Sequence, residues 1–303
     1  KIIVELKIFS PDLIIGVGGG SVIDYAKVAN VLTSSQNLRK EIPNSTYKIG
    51  KKFTKLIAIP TTAGSGAEVT SNSVVYFNKI KYSVESDELK PDYFFLMPEL
   101  VIGGSNKIKS SAGFDAIAQA IESLLSKKSN EKSVAFAEKS LNISLKYYLE
   151  HLNKPNKDNT LAMCLAANLS GEAISISKTI APHAVSYPFT SIYDISHGHA
   201  VSLTINKFLR FNYSNLEKSN STFNLKDRYK IIFDATQTNN IESFDAYLEH
   251  LKKNANLECD FNKLGINIVE NYSKIISGVN ALRLANNPIK LENKDLKKII
   301  INY

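Results

Sequence analysis

The sequence predicts an α/β domain of the nucleotide-binding kind, its parallel sheet incomplete at the start, followed by an all-α domain. Three observations carry that expectation. Twice in the first 107 residues, a short apolar run ends in a loop of glycines or small hydroxyl residues. From residue 108 onward, apolar residues recur at helical spacing. The stretch 181–200, APHAVSYPFTSIYDISHGHA, then gathers His183, His197 and His199, three of the chain's five histidines. The boundary is expected at 107/108, with a dinucleotide-binding part at 1–107, a metal- and substrate-binding part at 108–303, and the cleft between them.

Length and composition narrow the choice. A chain of 303 residues with 44% hydrophobic content can fill two cores. The net charge of +8 comes mainly from scattered lysines, without the Lys/Arg block of a nucleic-acid tail. Nucleic acid is therefore not an expected partner, whereas a modest positive field favours anionic small molecules. Cys164 and Cys259 have no CxxC partner, which suits a reducing cytoplasm. No apolar run approaches the roughly 18 residues of a membrane span, and no signal peptide is read. The opening KIIVEL lacks Met and soon enters what reads as a buried strand, so a missing N-terminal portion is expected.

Taken in order, DLIIGVG at 12–18 reads as a buried parallel strand. Gly18, Gly19, Gly20 and Ser21 follow, and VIDYAKVAN continues at helical spacing. Strand, glycine turn and helix N-terminus together can face a phosphate with free amides and the helix dipole. The spacing is not GxGxxG, so phosphate binding and a tight structural turn both remain open. Asp24 can bond a cofactor hydroxyl or serve as an acid favoured by the dipole. LIAIP at 56–60 then leads into TTAGSGAEV at 61–69, a second wall for a nucleotide crevice or a polar loop. Residues 72–82 alternate weakly, as in a hairpin, and 90–101 reads as one more strand closing the domain.

Beyond residue 108, helices are expected at 110–126, 133–148, 160–176, 225–236, 241–253, 266–277 and 291–300. In the first of these, Asp115 and Gln119 are four residues apart and share a face. An aspartate on an Ala-rich apolar helix is costly unless paired, capped or bound to a cation; a first-turn position is the alternative. A single histidine on an apolar face is commonly a satisfied core residue. Three within seventeen residues shift the reading toward metal, because neutral imidazole is the commonest ligand for divalent transition metals.

The motifs DLIIGVGGGSVID (12–24), IPTTAGSGAE (59–68), AGFDAIAQAIES (112–123) and HA…HG (183–198), in this order, resemble the iron-containing alcohol dehydrogenase family. That family shares its fold with dehydroquinate synthase and glycerol dehydrogenase. The resemblance covers nearly the whole chain, and what is missing is the family's opening portion. It implies that Gly18, Gly19, Gly20 and Ser21 hold the pyrophosphate of NAD(P)H, with Thr61, Thr62 and Ser65 lining the rest of that site. It also implies a metal, Fe2+ or Zn2+, held by Asp115, His183 and His197. The family's fourth ligand position, a histidine, is Gln119 here, expected to ligate the metal or else to bond a metal-bound water or the substrate, and a further histidine position is Tyr187. The variant segments resemble the phosphonoacetaldehyde reductase branch, which implies an anionic aldehyde and makes Lys178 a candidate for its charge.

By that resemblance the metal acts as a Lewis acid on an aldehyde oxygen, and hydride comes from the reduced nicotinamide. Tyr187, His199 or a relayed water supplies the proton. A plain short-chain aldehyde or alcohol is the alternative substrate. A nucleotide-binding homologue with lapsed catalysis is the alternative of another class, suggested by Gln119 and Tyr187. Relatives imply a homodimer or larger.

Overall fold

The structure is a computed structural model describing residues 2–35, 37–77 and 80–302. Its first element is a helix, α1 (Ile2–Phe9), and the strand expected at 12–18 follows as β1 (Leu13–Gly18). β1 pairs in parallel with β2 (Lys55–Pro60) along its whole length, Leu13 beside Lys55 and Gly18 beside Pro60. Between them run α2 (Gly20–Val31) and the short α3 (Leu38–Glu41). The expectation of a fully buried β1 is corrected. Gly16 lies against Ala26 of α2, while Leu13, Ile15 and Val17 on the other face are exposed. Successive side chains of a strand point to opposite faces, and α2 covers only one.

The hairpin forms as expected: β3 (Asn72–Phe77) pairs antiparallel with β4 (Ile80–Glu85), with Asn72 opposite Glu85. The strand expected over 90–101 shrinks to β5 (Tyr93–Phe94), followed by α4 (Pro98–Val101). Pro91 and Pro98 frame this segment and cannot donate to a ladder, and only Tyr93 and Phe94 lie in register with β2, opposite Ile57 and Ala58, with the flanking amides of Asp92 and Phe95 donating to the carbonyls of Leu56 and Ala58. The order of the parallel sheet is β1-β2-β5.

The remainder is helical: α5 (Asn106–Leu125), α6 (Glu131–Asn153), α7 (Lys157–Ser177), α8 (Ala181–Tyr193), α9 (His197–Ser202), α10 (Ile205–Tyr213), α11 (Leu225–Thr236), α12 (Ile241–Asn254), α13 (Tyr272–Ser277), α14 (Ala281–Leu284) and α15 (Asn293–Asn302). The helix expected over 266–277 contracts to α13, as turns occupy its first half. One large core joins these helices, with α5 at its centre, where Phe114, Ile117, Ile121 and Leu124 are wholly buried. A smaller core between α2 and the hairpin holds Val28, Val31, Val75 and Val84. Close packing requires absent side chains: a methyl on Gly113 would run into the Tyr148 ring at 2.6 Å. Among the described residues, no helix is long and apolar enough to cross a membrane.

Candidate active site

A cavity of about 300 Å³ is lined by residues of both halves, including Gly20 and Ser21 of α2 and the histidines of α8 and α9. On the α/β side, the N-terminus of α2 opens onto it. Gly19 caps that helix without a side-chain bond, leaving the first amides for a ligand. Gly20 has no room for a side chain, since a Cβ would lie 2.6 Å from Ser65 Oγ. The two small-residue loops thus meet edge to edge, and Gly20, Ser21, Asp24, Thr62 and Ser65 all line the cavity. Gly18, Gly19 and Thr61 do not line it. They shape the turn instead, with the Thr61 amide donating to the Gly18 carbonyl at 3.0 Å.

Asp24 faces the cavity while accepting from the Val74 amide at 2.9 Å. Behind it the fully buried Lys27 donates to the carbonyls of Ala67 and Asn72 and to the Thr70 hydroxyl, tying α2 to the hairpin. Burial lowers the Lys27 pKa, with Asp24 opposing that effect.

On the helical side, α5 presents Ser111, Asp115, Gln119 and Glu122 at intervals of four, four and three, a polar stripe along one face of the helix. Asp115 is not a first-turn residue, because α5 begins nine positions earlier. Its carboxylate meets His183 Nε2 at 3.1 Å and His197 Nε2 at 4.0 Å. One ligand atom from each of the three lies within 4.8 Å of the others. A carboxylate and two imidazoles converging in this way fit a divalent transition metal with open coordination positions.

Electrostatics support the same fit. Burial opposes a charged imidazole, yet Glu122 and Asp115 outweigh it and push His183 up to about 9. A proton on His183 thus supplies the positive charge that the surrounding carboxylates favour. His183 Nδ1 lies 2.5 Å from Glu122 Oε1, the carboxylate–imidazole pairing that fixes a metal-binding ring. Glu122 Oε2 also accepts from the amides of Ile180 and His183, so one carboxylate caps α8 and grips its histidine.

Three expected roles are corrected by this geometry. The amide nitrogen of Gln119 faces Asp115 at 3.2 Å, and its oxygen accepts from Ser170 at 2.9 Å. In this arrangement Gln119 holds Asp115 through its amide nitrogen, which offers no lone pair to a metal. His199 turns away from the cavity and bonds the Glu258 carbonyl through Nε2 at 2.6 Å, which takes it out of proton transfer. Lys178 likewise does not line the cavity, and its ammonium lies 3.6 Å from Glu85. Tyr187, in contrast, lines the cavity beside His197, their ring centroids 6.1 Å apart.

The structure adds residues that the sequence reading did not single out. Glu122 is one; its place on the Asp115 face was visible, but its partner lies 61 residues away. Ser196 is another. It caps α9, but the His199 amide is taken by Ser111 Oγ, and Ser196 Oγ is buried in the cavity wall without a hydrogen-bond partner among the described residues. The third is Arg283. Pro188 inside α8 cannot donate to the Ala184 carbonyl, and the Asn280 amide donates to it instead at 3.3 Å. Asn280 also caps α14 by accepting from the Arg283 amide. The helix defect thereby docks α14 so that Arg283 reaches the cavity.

Comparison with known proteins agrees with this arrangement. Residues 1–98 match the profile of iron-containing alcohol dehydrogenases, and residues 109–302 match the C-terminal profile of the same family. The chain belongs to the iron-containing alcohol dehydrogenase family. It is 28% identical over 220 residues to phosphonoacetaldehyde reductase of Streptomyces viridochromogenes, covering 69% of this chain and 55% of that protein. It is 29% identical over 248 residues to 4-hydroxybutyrate dehydrogenase of Clostridium kluyveri, covering 79% and 64%. The chain thus spans little more than half to just under two thirds of these relatives. Among solved structures, sulfoacetaldehyde reductase from Bifidobacterium kashiwanohense in complex with NAD+ superposes with a TM-score of 0.86 at 25% identity, covering 99% of this chain and 79% of that one.

Proposed function

We propose that this family member is an NAD(P)-dependent, metal-assisted reductase of a short aldehyde carrying an anionic group, with phosphonoacetaldehyde reduced to 2-hydroxyethylphosphonate as its leading substrate. The observation that carries the reading is the single cavity onto which both the N-terminus of α2 and the Asp115–His183–His197 cluster open. The names of the three relatives above support the anionic class, since they denote a phosphonate, a carboxylate and a sulfonate.

In this reading, Gly20, Ser21, Thr62 and Ser65 hold the cofactor's phosphates and ribose, with Asp24 on a hydroxyl. Asp115, His183 and His197 hold a divalent metal, iron or zinc, which when bound polarises the carbonyl oxygen. Gln119 and Glu122 keep Asp115 and His183 in place. Tyr187, in the cavity wall beside His197, is the proposed proton donor. Burial raises its pKa, partly opposed by Arg283, so the phenol stays protonated and able to donate, directly or through water. The cysteines Cys164 and Cys259 are both free, in keeping with a cytoplasmic enzyme.

The test is NADH and NADPH oxidation with phosphonoacetaldehyde and with propanal, before and after chelation and with iron or zinc restored. The expected result is metal-dependent turnover favouring the phosphonate. Undiminished turnover in the chelated protein would contradict the metal role. Equal kcat/KM for both aldehydes would support a plain aldehyde reductase, and cofactor binding without any turnover would support a lapsed enzyme.

A further inference from the structure

Arg283 is a buried, permanently charged residue of the reaction cavity, only 8% exposed. Its guanidinium donates to Thr179 Oγ1 at 3.0 Å, and its charge acts on the Tyr187 hydroxyl, opposing the rise that burial gives that phenol's pKa. Both partners are neutral. Among the described residues, no carboxylate lies within ion-pair distance of it, whereas Lys178 nearby is already matched to Glu85. A buried charge without a counter-charge is costly unless a ligand supplies one. A guanidinium has five donors in a fixed fork that fits carboxylates and tetrahedral oxyanions, and here only part of that fork is occupied by protein.

Position tells which anion is meant. Thr179 and Tyr187 lie four residues on either side of the metal-cluster residue His183, so Arg283 belongs to the wall that holds the metal. The cofactor phosphates have their own seat at α2, which comes from the other half of the chain. We infer that Arg283, oriented by Thr179 and Tyr187, binds the fixed anionic group of the substrate and sets the enzyme's preference for charged over neutral aldehydes. This rests on the reductase reading of the same cavity and replaces Lys178 in the role of charge reader. It also assigns Tyr187 two contacts, the guanidinium on one side and the reacting end of the substrate on the other.

The experiment compares wild type, Arg283→Met and Arg283→Lys as metal-loaded, full-length protein. Arg283→Met keeps the unbranched apolar stem without the charge, and Arg283→Lys keeps the charge without the fork. With phosphonoacetaldehyde, kcat/KM should fall about 100-fold or more in Arg283→Met through KM, and less in Arg283→Lys. With propanal the fall should be much smaller, so that the ratio of kcat/KM for phosphonoacetaldehyde over propanal drops by about 30-fold or more, and the NADH dissociation constant should not change. Calorimetric titration with methylphosphonate, which cannot be reduced, should show binding to wild type that is lost in Arg283→Met.

A parallel fall for both aldehydes would overturn the inference, because it signals a structural role. Weakened NADH or NADPH binding with unchanged aldehyde selectivity would also overturn it, by showing that the anion is the cofactor's phosphate. If wild type reduces no aldehyde, the methylphosphonate titration decides alone. Arginine-dependent binding then upholds the anion site while the reductase reading falls. Absence of saturable binding to wild type overturns the site as well.

Discussion

Asp115 and Glu122 do different work on the same histidine. Asp115 contributes an oxygen to the cluster, while Glu122 holds the far side of the His183 ring and the start of α8. Asp115→Ala should reduce metal in the purified protein from near-stoichiometric to trace, read by elemental analysis. Glu122→Gln should retain metal with affinity weakened about 10- to 100-fold, read by competition with a chromogenic chelator. A Glu122→Gln protein with unchanged affinity would show that the pairing only packs. At this scale the sequence was informative where chemistry is rare in its surroundings. An aspartate among alanines and clustered histidines stand out without any coordinates. Arg283 does not, because its contact with Thr179 spans 104 residues and depends on how α14 docks. Gln119 shows a different limit: its position was legible, but which end of the amide meets Asp115 depends on Ser170, a residue of α7.

Among the elements, the join between α7 and α8 is strained. Lys178 has φ 60° and ψ 170°, a region open in practice to glycine alone. The strain turns the chain so that Thr179 meets Arg283 and the Ile180 amide meets Glu122. Lys178→Gly should therefore raise stability by about 1 kcal/mol in chemical denaturation, leaving aldehyde selectivity unchanged. A loss of stability would refute the strain. Gly198 is the opposite case. A methyl there would collide with the Ser111 carbonyl and approach Asp115 Cβ at 2.9 Å. Gly198→Ala should cost about 1–3 kcal/mol and displace His197, lowering metal affinity together with stability. Helix limits were well read where caps and apolar period agree, as in α11, which spans 225–236 as expected. They were poorly read at 90–101, where pairing partners rather than composition decide how much of a segment becomes strand.

For the molecule as a whole, His151 predicts an acid limb of stability. It is buried beside the Thr160 hydroxyl, and burial, aided by Lys109, lowers its pKa to about 4 from the ordinary 6.5. A base kept neutral in the fold takes up a proton on unfolding. Its stabilising contribution is thus complete above about pH 6.5 and disappears as pH falls toward 4, amounting to about 3 kcal/mol. Denaturation of the chelated protein at pH 7 and 4.5 should show wild type losing about 2–3 kcal/mol more than His151→Gln. Parallel losses would mean that another group carries the acid sensitivity.

Pro188 has an influence that reaches beyond its own helix. Helices ordinarily gain when a proline is replaced, because the missing bond is restored. Here that bond would reclaim the Ala184 carbonyl from Asn280 and so compete with the anchor of α14. Pro188→Ala therefore trades regular helix geometry against docking of a distant segment. A protein with a better-formed α8 should discriminate less sharply between charged and neutral aldehydes, although the substituted residue itself bears no charge.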